Sequence, residues 1–256
     1  MEYTDILYEK KDGVGKVTIN RPKKMNAFTA HTWHEMQDAL IDATHDKDVG
    51  VVVLTGAGDK AFCTGGDVSA RTEDGYGGHF PMPGPYHILR TMPKVTIAMV
   101  NGFAIGGGHV MHMHCDLSIA SETAQFGQVG PKFGSFDAGF GSAYMARLIG
   151  QKRAREMWFL CRRYTAQQAL QMGLVNWVVP PDKLEEETMK ICKEILGLSP
   201  TAIKTLKASF NADVEHINGI QDLSMISLMQ YYGGDESKEG SLAFMEKRLP
   251  DYSKWR

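Results

Sequence analysis

Short apolar runs alternating with longer segments of helical period predict an α/β fold for this chain of 256 residues. Three observations carry the prediction. Val51-Val52-Val53-Leu54 is apolar throughout, the pattern of a strand covered on both faces. Trp33, Met36, Leu40 and Ala43 recur at spacings of three and four with charges between them, which reads as an amphipathic helix from about Thr32. Two further strand-like runs, 96–100 and 117–120, flank Gly106-Gly107-Gly108, where a helix opens. Near the N-terminus, 16–20 alternates polar and apolar like a half-buried strand, and Arg21-Pro22 stops it. From Lys152 onward helical patterns dominate, at 165–172, 184–198 and 200–210, so the chain ends in a helical region. Residues 75–85, rich in Gly and Pro, are the most loop-like stretch.

Composition removes several classes of function. With 43% hydrophobic and 23% charged residues, the chain can bury a large core as one main domain. A formal net charge of -2 without a long basic stripe argues against a nucleic-acid partner. No run approaches the roughly 18 apolar residues of a membrane helix, and Met1-Glu2-Tyr3-Thr4-Asp5 has no signal-peptide character. A cytoplasmic protein that binds no membrane is expected. Cys63, Cys115, Cys161 and Cys192 are far apart and form no C-x-x-C pair, so reduced, mostly buried thiols are expected.

Two motifs invite other readings. Gly56-Ala57-Gly58-Asp59-Lys60-Ala61 follows the apolar strand and matches the dinucleotide-binding fingerprint. That fold needs a long helix opening at Gly58, whereas Phe62-Cys63-Thr64-Gly65-Gly66-Asp67 brings two more glycines that would break it. His109, His112 and His114 suggest a metal site, but His114 would leave the face shared by the other two, and no matching ligand cluster follows. A helix packed under the sheet, with no metal, is the expectation. No G-x-S-x-G elbow or Walker-type loop is present.

What remains is a pair of glycine-rich turns, each after a strand and before a helix: Cys63-Thr64-Gly65-Gly66-Asp67 and Gly102-Phe103-Ala104-Ile105-Gly106-Gly107-Gly108. Glycines let backbone N–H groups approach a ligand closely, and a helix N-terminus favours an oxyanion. Two such turns can clamp one oxygen, although either alone reads more readily as a tight connection.

Asn20-Arg21-Pro22, Asn26-Ala27-Phe28, the run from Ala61 to Asp67 and the run from Asn101 to Gly108 together resemble the crotonase (enoyl-CoA hydratase/isomerase) superfamily along essentially the whole chain. The resemblance implies a crotonase spiral of repeated ββα units over 1–195 and a helical C-terminal trimerisation or lid region over 196–256. It implies a homotrimer or homohexamer acting on an acyl-CoA thioester, with coenzyme A entering as part of the substrate and no tightly bound cofactor. It further implies an oxyanion hole from the amides of Gly66 and Gly107, and substrate contacts at Lys24, Ala27, Ala61, Thr64, Gly65 and Asp67.

Departures from the commonest members narrow the chemistry. Where typical hydratases carry two glutamates this chain has Val110 and Gly130, which removes the carboxylates that would activate water for addition to a double bond. The segment 126–142 instead is similar to the branch holding 2-ketocyclohexanecarboxyl-CoA hydrolase and 1,4-dihydroxy-2-naphthoyl-CoA synthase. That similarity implies Asp137 as the proton-moving carboxylate, Ser142 and Ser135 near the substrate ring, and Tyr232 as proton donor or orienter in its own or a neighbouring subunit. It also implies that Gly130 leaves room for a bicarbonate base, with Gln128 and Val129 beside it. Independently of any family, a carboxylate at Asp137 between Phe136 and Phe140 should be partly desolvated and raised in pKa, although Asp in a Gly-rich stretch is also an ordinary turn-former.

Hydrolytic ring opening of a 2-ketocyclohexanecarboxyl-CoA-like β-keto thioester is the favoured expectation, on Lys24-Met25-Asn26, Gln128-Val129-Gly130, 231–240 and a short loop over 64–93. Ring closure of the naphthoyl-CoA synthase kind is the alternative, on Ser135-Phe136-Asp137-Ala138-Gly139 and Gly173-Leu174-Val175-Asn176. A third reading is a non-catalytic acyl-CoA or RNA-binding homologue, which would need neither Asp137 with Ser142 nor both glycine turns.

Overall fold

In a computed structural model the chain is described at residues 2–72, 75–78, 80, 84–136 and 140–256. Asp137, the carboxylate singled out above, lies outside the described residues.

Two sheets form the frame. β1 (Ile6–Lys11) and β2 (Val14–Ile19) make an antiparallel hairpin. β2 then pairs in parallel with β3 (Val51–Gly56), which pairs in parallel with β7 (Val95–Val100). β9 (Leu117–Ser121) and β12 (Trp177–Val179) complete the order β1-β2-β3-β7-β9-β12. β3 is buried along its full length, as its unbroken apolar run requires. β2 departs from expectation: its second face is covered as well, so it is nearly all buried rather than half-buried.

The second sheet lies over the C-terminal ends of the first and carries the turns. It runs β11-β10-β8-β4, with β4 (Ala61–Cys63), β8 (Phe103–Ile105), β10 (Gln125–Gly127) and β11 (Arg163–Thr165). Successive parallel units each contribute one long strand to the first sheet and one short strand to the second: β3 with β4, β7 with β8, β9 with β10. β4 occupies the place where a dinucleotide-binding fold would start its helix, which removes that reading. A small hairpin, β5 (Arg71–Thr72) with β6 (Gly75–Tyr76), stands beside the second sheet.

The helices cover the frame: α1 (Ala30–His45), α2 (Pro85–Thr91), α3 (Gly107–Met113), α4 (Phe140–Ile149), α5 (Gln151–Leu160) and α6 (Ala166–Met172). After them come α7 (Leu184–Leu196), α8 (Pro200–Ala212), α9 (Ile220–Tyr232) and α10 (Asp235–Met245). α1 starts at a capping box in which Thr29 accepts from the Thr32 N–H, and it buries Trp33, Met36, Leu40 and Ala43, the periodic stripe of the sequence. The core runs from α1 through β2, β3 and β7 to α3 and Phe126, and a smaller cluster lies between the first sheet and α7. α3 is buried on every side. Cys63, Cys115 and Cys192 are buried and Cys161 half-buried, and all four are free thiols. No helix among the described residues is long and apolar enough to cross a membrane.

Candidate active site

The first glycine turn is shaped by its neighbours before it is shaped by any ligand. Met25 and Asn26 take left-handed conformations, and the Asn26 side-chain amide donates to the carbonyls of Ala57 at 2.9 Å and Ala61 at 2.7 Å. Ala61 is therefore a buried strand residue whose carbonyl anchors the turn. Arg21 binds the Ala27 carbonyl and reaches Asp67 at 3.1 Å, while Ser69 donates to Asp67 from both its N–H and its hydroxyl. Burial pushes the Asp67 carboxyl up, but Ser69 and the positive charges of Lys24 and Arg21 outweigh it and hold it below the ordinary range. Asp67 thus acts as a brace for the turn and not as a wall of the pocket.

The braced backbone holds Gly66 at the wall of a pocket. The Phe28 N–H donates to the Gly65 carbonyl and the Asp67 N–H donates to the Phe28 carbonyl, both at 2.8 Å, making a parallel bridge centred on Gly66. In such a bridge the middle residue's own N–H points away from the partner strand. The helix expected after this turn is only a three-residue 3-10 turn, Val68–Ala70, so little dipole assistance comes from that side.

The second turn meets the first. Gly106, at φ +56°, caps α3, and its N–H donates to the Gly127 carbonyl at 3.0 Å. Gly107 opens the helix, where an N–H has no intrahelical partner. A Cβ added to Gly65 would lie 3.0 Å from the Gly107 nitrogen, so the two turns touch. Tyr86 donates to the Gly107 carbonyl at 2.7 Å and fixes that side of the residue. Neither the Gly66 nor the Gly107 N–H donates to a described residue.

Both glycines line one pocket with about 950 Å³ of empty space, open to solvent. Its wall holds an aromatic group, Phe28, Trp33, Tyr76, Phe80 and Tyr86, and the inner face of α9, with Gln221, Met225, Leu228, Met229 and Tyr232. Trp33 and Tyr86 meet edge to face with ring centres 4.6 Å apart. No Asp or Glu among the described residues lines it. One group of polar side chains gathers where the Tyr232 hydroxyl donates to the Tyr76 hydroxyl at 2.9 Å and lies 2.8 Å from the Ser135 Oγ. The Arg71 guanidinium stands 4.7 Å from the Tyr232 ring centre and donates to the Phe133 carbonyl at 2.9 Å and the Ser237 hydroxyl at 2.9 Å. Tyr232 therefore reaches the pocket of its own chain.

Thr64, Gly65, Val129, Gly130 and Ser135 all line this pocket. Lys24 is exposed and donates to Ser69 at 3.1 Å, and Ala27 is buried beside the Phe28 wall. Gln128 is fully buried behind the second turn, with Nε2 donating to the Gly106 carbonyl at 3.4 Å, and it is absent from the pocket wall. Ser142, expected near a substrate ring, sits on α4 facing a separate cleft with Phe136, Ala146 and Trp158. Cys63 beneath the turn is no nucleophile, because burial pushes its thiol up to about 12.

The sequence reading passed over Arg71, Tyr76, Tyr86 and Gln221. Tyr76 lies in the loop-like stretch and Arg71 in the two-residue strand β5, neither of which carries a periodic signal. Tyr86 and Gln221 sit on helices whose apolar stripes say nothing of where their polar members point.

The three histidines at α3 and its C-cap are core side chains. His109 and His112 share a face, as predicted, with ring nitrogens 3.2 Å apart, and the His112 Nδ1 meets the Ser118 hydroxyl at 3.1 Å. No group of three or more His, Cys, Asp or Glu among the described residues is placed to hold a metal.

The profile of the enoyl-CoA hydratase/isomerase family matches residues 9–255. Among solved structures, a carnitinyl-CoA hydratase from Mycobacterium avium is 31% identical over 98% of each chain, with a TM-score of 0.88. An enoyl-CoA hydratase/isomerase from Pseudoalteromonas atlantica T6c is 26% identical over 98% of this chain and 100% of that one, also with a TM-score of 0.88. An enoyl-CoA hydratase from Bacillus anthracis is 30% identical over 97% of this chain and 99% of that one, with a TM-score of 0.74. Together with the paired glycine turns over one pocket, the match along nearly all of its length makes this chain an acyl-CoA-processing member of the enoyl-CoA hydratase/isomerase family, the crotonase superfamily.

Proposed function

We propose that the protein opens a ring by hydrolysis, cleaving a 2-ketocyclohexanecarboxyl-CoA-like β-keto thioester. The observation that carries this reading is one pocket lined by Gly66 and Gly107, whose N–H groups donate to no described residue, and by no carboxylate among the described residues. Such a site stabilises an enolate oxygen and lacks the paired acids of a hydratase. Local packing supports the second half of that statement. A Cβ on Gly130 would lie 2.8 Å from the Ser135 carbonyl oxygen, so no glutamate fits there without moving the backbone, and Val110 packs against Gly141.

In the proposed reaction, Asp137 takes a proton from water as its oxygen adds to the ring ketone. The bond between that carbon and the α-carbon then breaks, and its electron pair passes into the thioester as an enolate whose oxygen is held by the N–H groups of Gly66 and Gly107. Tyr232, linked to Ser135 and Tyr76, delivers a proton to the α-carbon and is reprotonated through that chain. The former ketone carbon becomes a carboxylate on the same acyl chain; of its proton and the one held by Asp137, one restores Tyr232 and the other passes to solvent.

Ring closure of the naphthoyl-CoA synthase kind is the second reading, favoured by Ser135-Phe136-Asp137-Ala138-Gly139. In it the same amides hold the enolate, which attacks a second carbonyl instead of forming from one, and a bicarbonate base would stand beside Gly130. We also propose that the helical C-terminal region mediates a homotrimer or homohexamer, on the support of the apolar side chains exposed there, Phe210, Leu223 and Ile226 among them.

Purified protein should convert 2-oxocyclohexanecarboxyl-CoA to pimeloyl-CoA, and Asp137→Asn should lower the rate by about 100-fold or more. Turnover of succinylbenzoyl-CoA alone would move the assignment to the synthase. Inactivity on both thioesters, or an unimpaired Asp137→Asn enzyme, would sink the enolate mechanism and leave the reading of a non-catalytic binder.

A further inference from the structure

We propose that Gln221 is a specificity-determining residue, its side-chain NH2 holding an acyl-group oxygen away from the thioester carbonyl. The inference rests on the pocket's being an acyl-CoA site. On α9 the inward face runs Gln221, Met225, Leu228, Met229 and Tyr232, so two polar side chains flank an apolar middle. At ~1.5 Å per residue, eleven residues put about 16 Å between them along the helix. Tyr232 belongs to the hydroxyl chain with Ser135 and Tyr76. Gln221 stands apart from that chain, at the end of α9 nearer to Phe140.

The orientation of the Gln221 amide follows from chemistry. The N–H of Phe140, first residue of α4, meets the Gln221 side chain at 3.3 Å. An N–H only donates, so the limb facing it is the carbonyl oxygen and the other limb is NH2. Phe140 is itself held in place, with its ring 4.6 Å from the Arg90 guanidinium and 5.2 Å from the His114 ring. The NH2 limb donates to no described residue, and Gln221 lines the pocket. Several other polar side chains on the described wall, though not His87, are already spent on protein partners. Thr64 donates to the Met25 carbonyl, Tyr86 donates to the Gly107 carbonyl, and Tyr232 donates to Tyr76. A fixed amide whose two donors are unspent, among apolar neighbours, selects an oxygen over a methyl group. In the ring-opening reading that oxygen belongs to the carboxylate at the far end of the opened acyl chain, the group that ends pimeloyl-CoA.

The test is binding, so that it stands apart from turnover. Pimeloyl-CoA and heptanoyl-CoA have acyl chains of equal length and end in a carboxylate and a methyl group. Their dissociation constants, measured by calorimetry, define a selectivity ratio for the wild-type protein. Gln221→Leu should shrink the preference for pimeloyl-CoA by about tenfold, the size expected for a hydrogen bond to a charged group, with heptanoyl-CoA affinity held within about twofold. Gln221→Glu keeps the acceptor for the Phe140 N–H and replaces only the donor limb, so it should give the same loss in a protein that melts like wild type. An unchanged ratio in a folded variant overturns the proposal, as does equal weakening of both thioesters. If selectivity responds while the ring substrates are not turned over, the assignment of Gln221 stands and the proposed reaction falls.

Discussion

Gly66, Gly107 and Gly108 sit within one contact region, yet a methyl group at each meets a different obstacle. At Gly108 the added Cβ would lie 2.0 Å from the Cys63 carbonyl oxygen, a backbone atom that cannot withdraw without opening the second sheet. At Gly66 it would lie 2.3 Å from the Tyr76 ring, and at Gly107 it would lie 2.9 Å from the Phe28 Cζ and the Tyr86 hydroxyl, all of them parts of side chains. Overpacking against side chains costs ~1–3 kcal/mol, which a protein of this size survives. Gly108→Ala should therefore fail to accumulate as folded protein, whereas Gly66→Ala should fold. In Gly66→Ala the displaced Tyr76 ring pulls its hydroxyl from Tyr232 and the amide shifts from its oxyanion, so kcat should fall by ~100-fold or more. Circular-dichroism melting and steady-state kinetics on the pair check this, and an active Gly66→Ala enzyme would show that the Gly66 amide is not the oxyanion donor.

The elements that periodicity governs were legible in the sequence, and those that depend on which face meets what were not. α1, β3, β7, β9 and the opening of α3 were foreseeable because each carries an unbroken apolar run, a clear helical stripe or a run of glycines. β11 and β12 have three residues each, too few for any period to register. α9 is a different failure. Leu228 and Tyr232 are buried, while Leu223 at 64% and Ile226 at 60% exposure are equally apolar, so the sequence does not mark the pocket face. The glycine turns were legible as a pair, but the braces Arg21, Asn26 and Asp67 act across long separations.

The same holds for Lys207 on α8, an apparently ordinary surface lysine in sequence. It is buried, donating to the carbonyls of Leu89 at 3.0 Å and Lys94 at 2.9 Å and to Asp116 at 2.7 Å, and so ties α8 to the end of α2 and to the start of β7 and β9. Burial pulls its ammonium below the ordinary lysine range even though Asp116 opposes the shift. Lys207→Met leaves two carbonyls without their donor and the solvent-reached Asp116 carboxylate without its cation, so it should destabilise the fold by about 1–3 kcal/mol. Adding Asp116→Asn should restore part of the loss. Urea unfolding of the single and double variants measures both, and a Lys207→Met protein as stable as wild type would rule out the tie.

At the scale of the whole molecule, the core contains three histidines that must stay neutral. Burial holds His109 down to about 3 and His114 down to about 4, and it lowers His112 well below its ordinary value, with the neighbouring histidines adding to the effect. In the unfolded chain all three titrate near the ordinary value of 6.5. Below that pH the unfolded state binds protons that the folded state refuses, so stability is complete above it and declines as pH falls toward the folded values. Each histidine contributes about 1.4 kcal/mol per pH unit in that window, and three together about 4 kcal/mol per unit, against a total stability of ~5–15 kcal/mol. Acid unfolding should therefore be cooperative and centred above about pH 4, before most carboxylates have titrated. His109 offers the cleanest probe, because its buried Nε2 has no hydrogen-bond partner and its ring packs on Phe126. His109→Phe removes one of the three titrations, so the slope of unfolding free energy against pH should fall by about a third between pH 6 and 5. Urea melts at those two pH values decide the matter: equal slopes in wild type and variant would mean that His109 is not a proton-refusing group of the core.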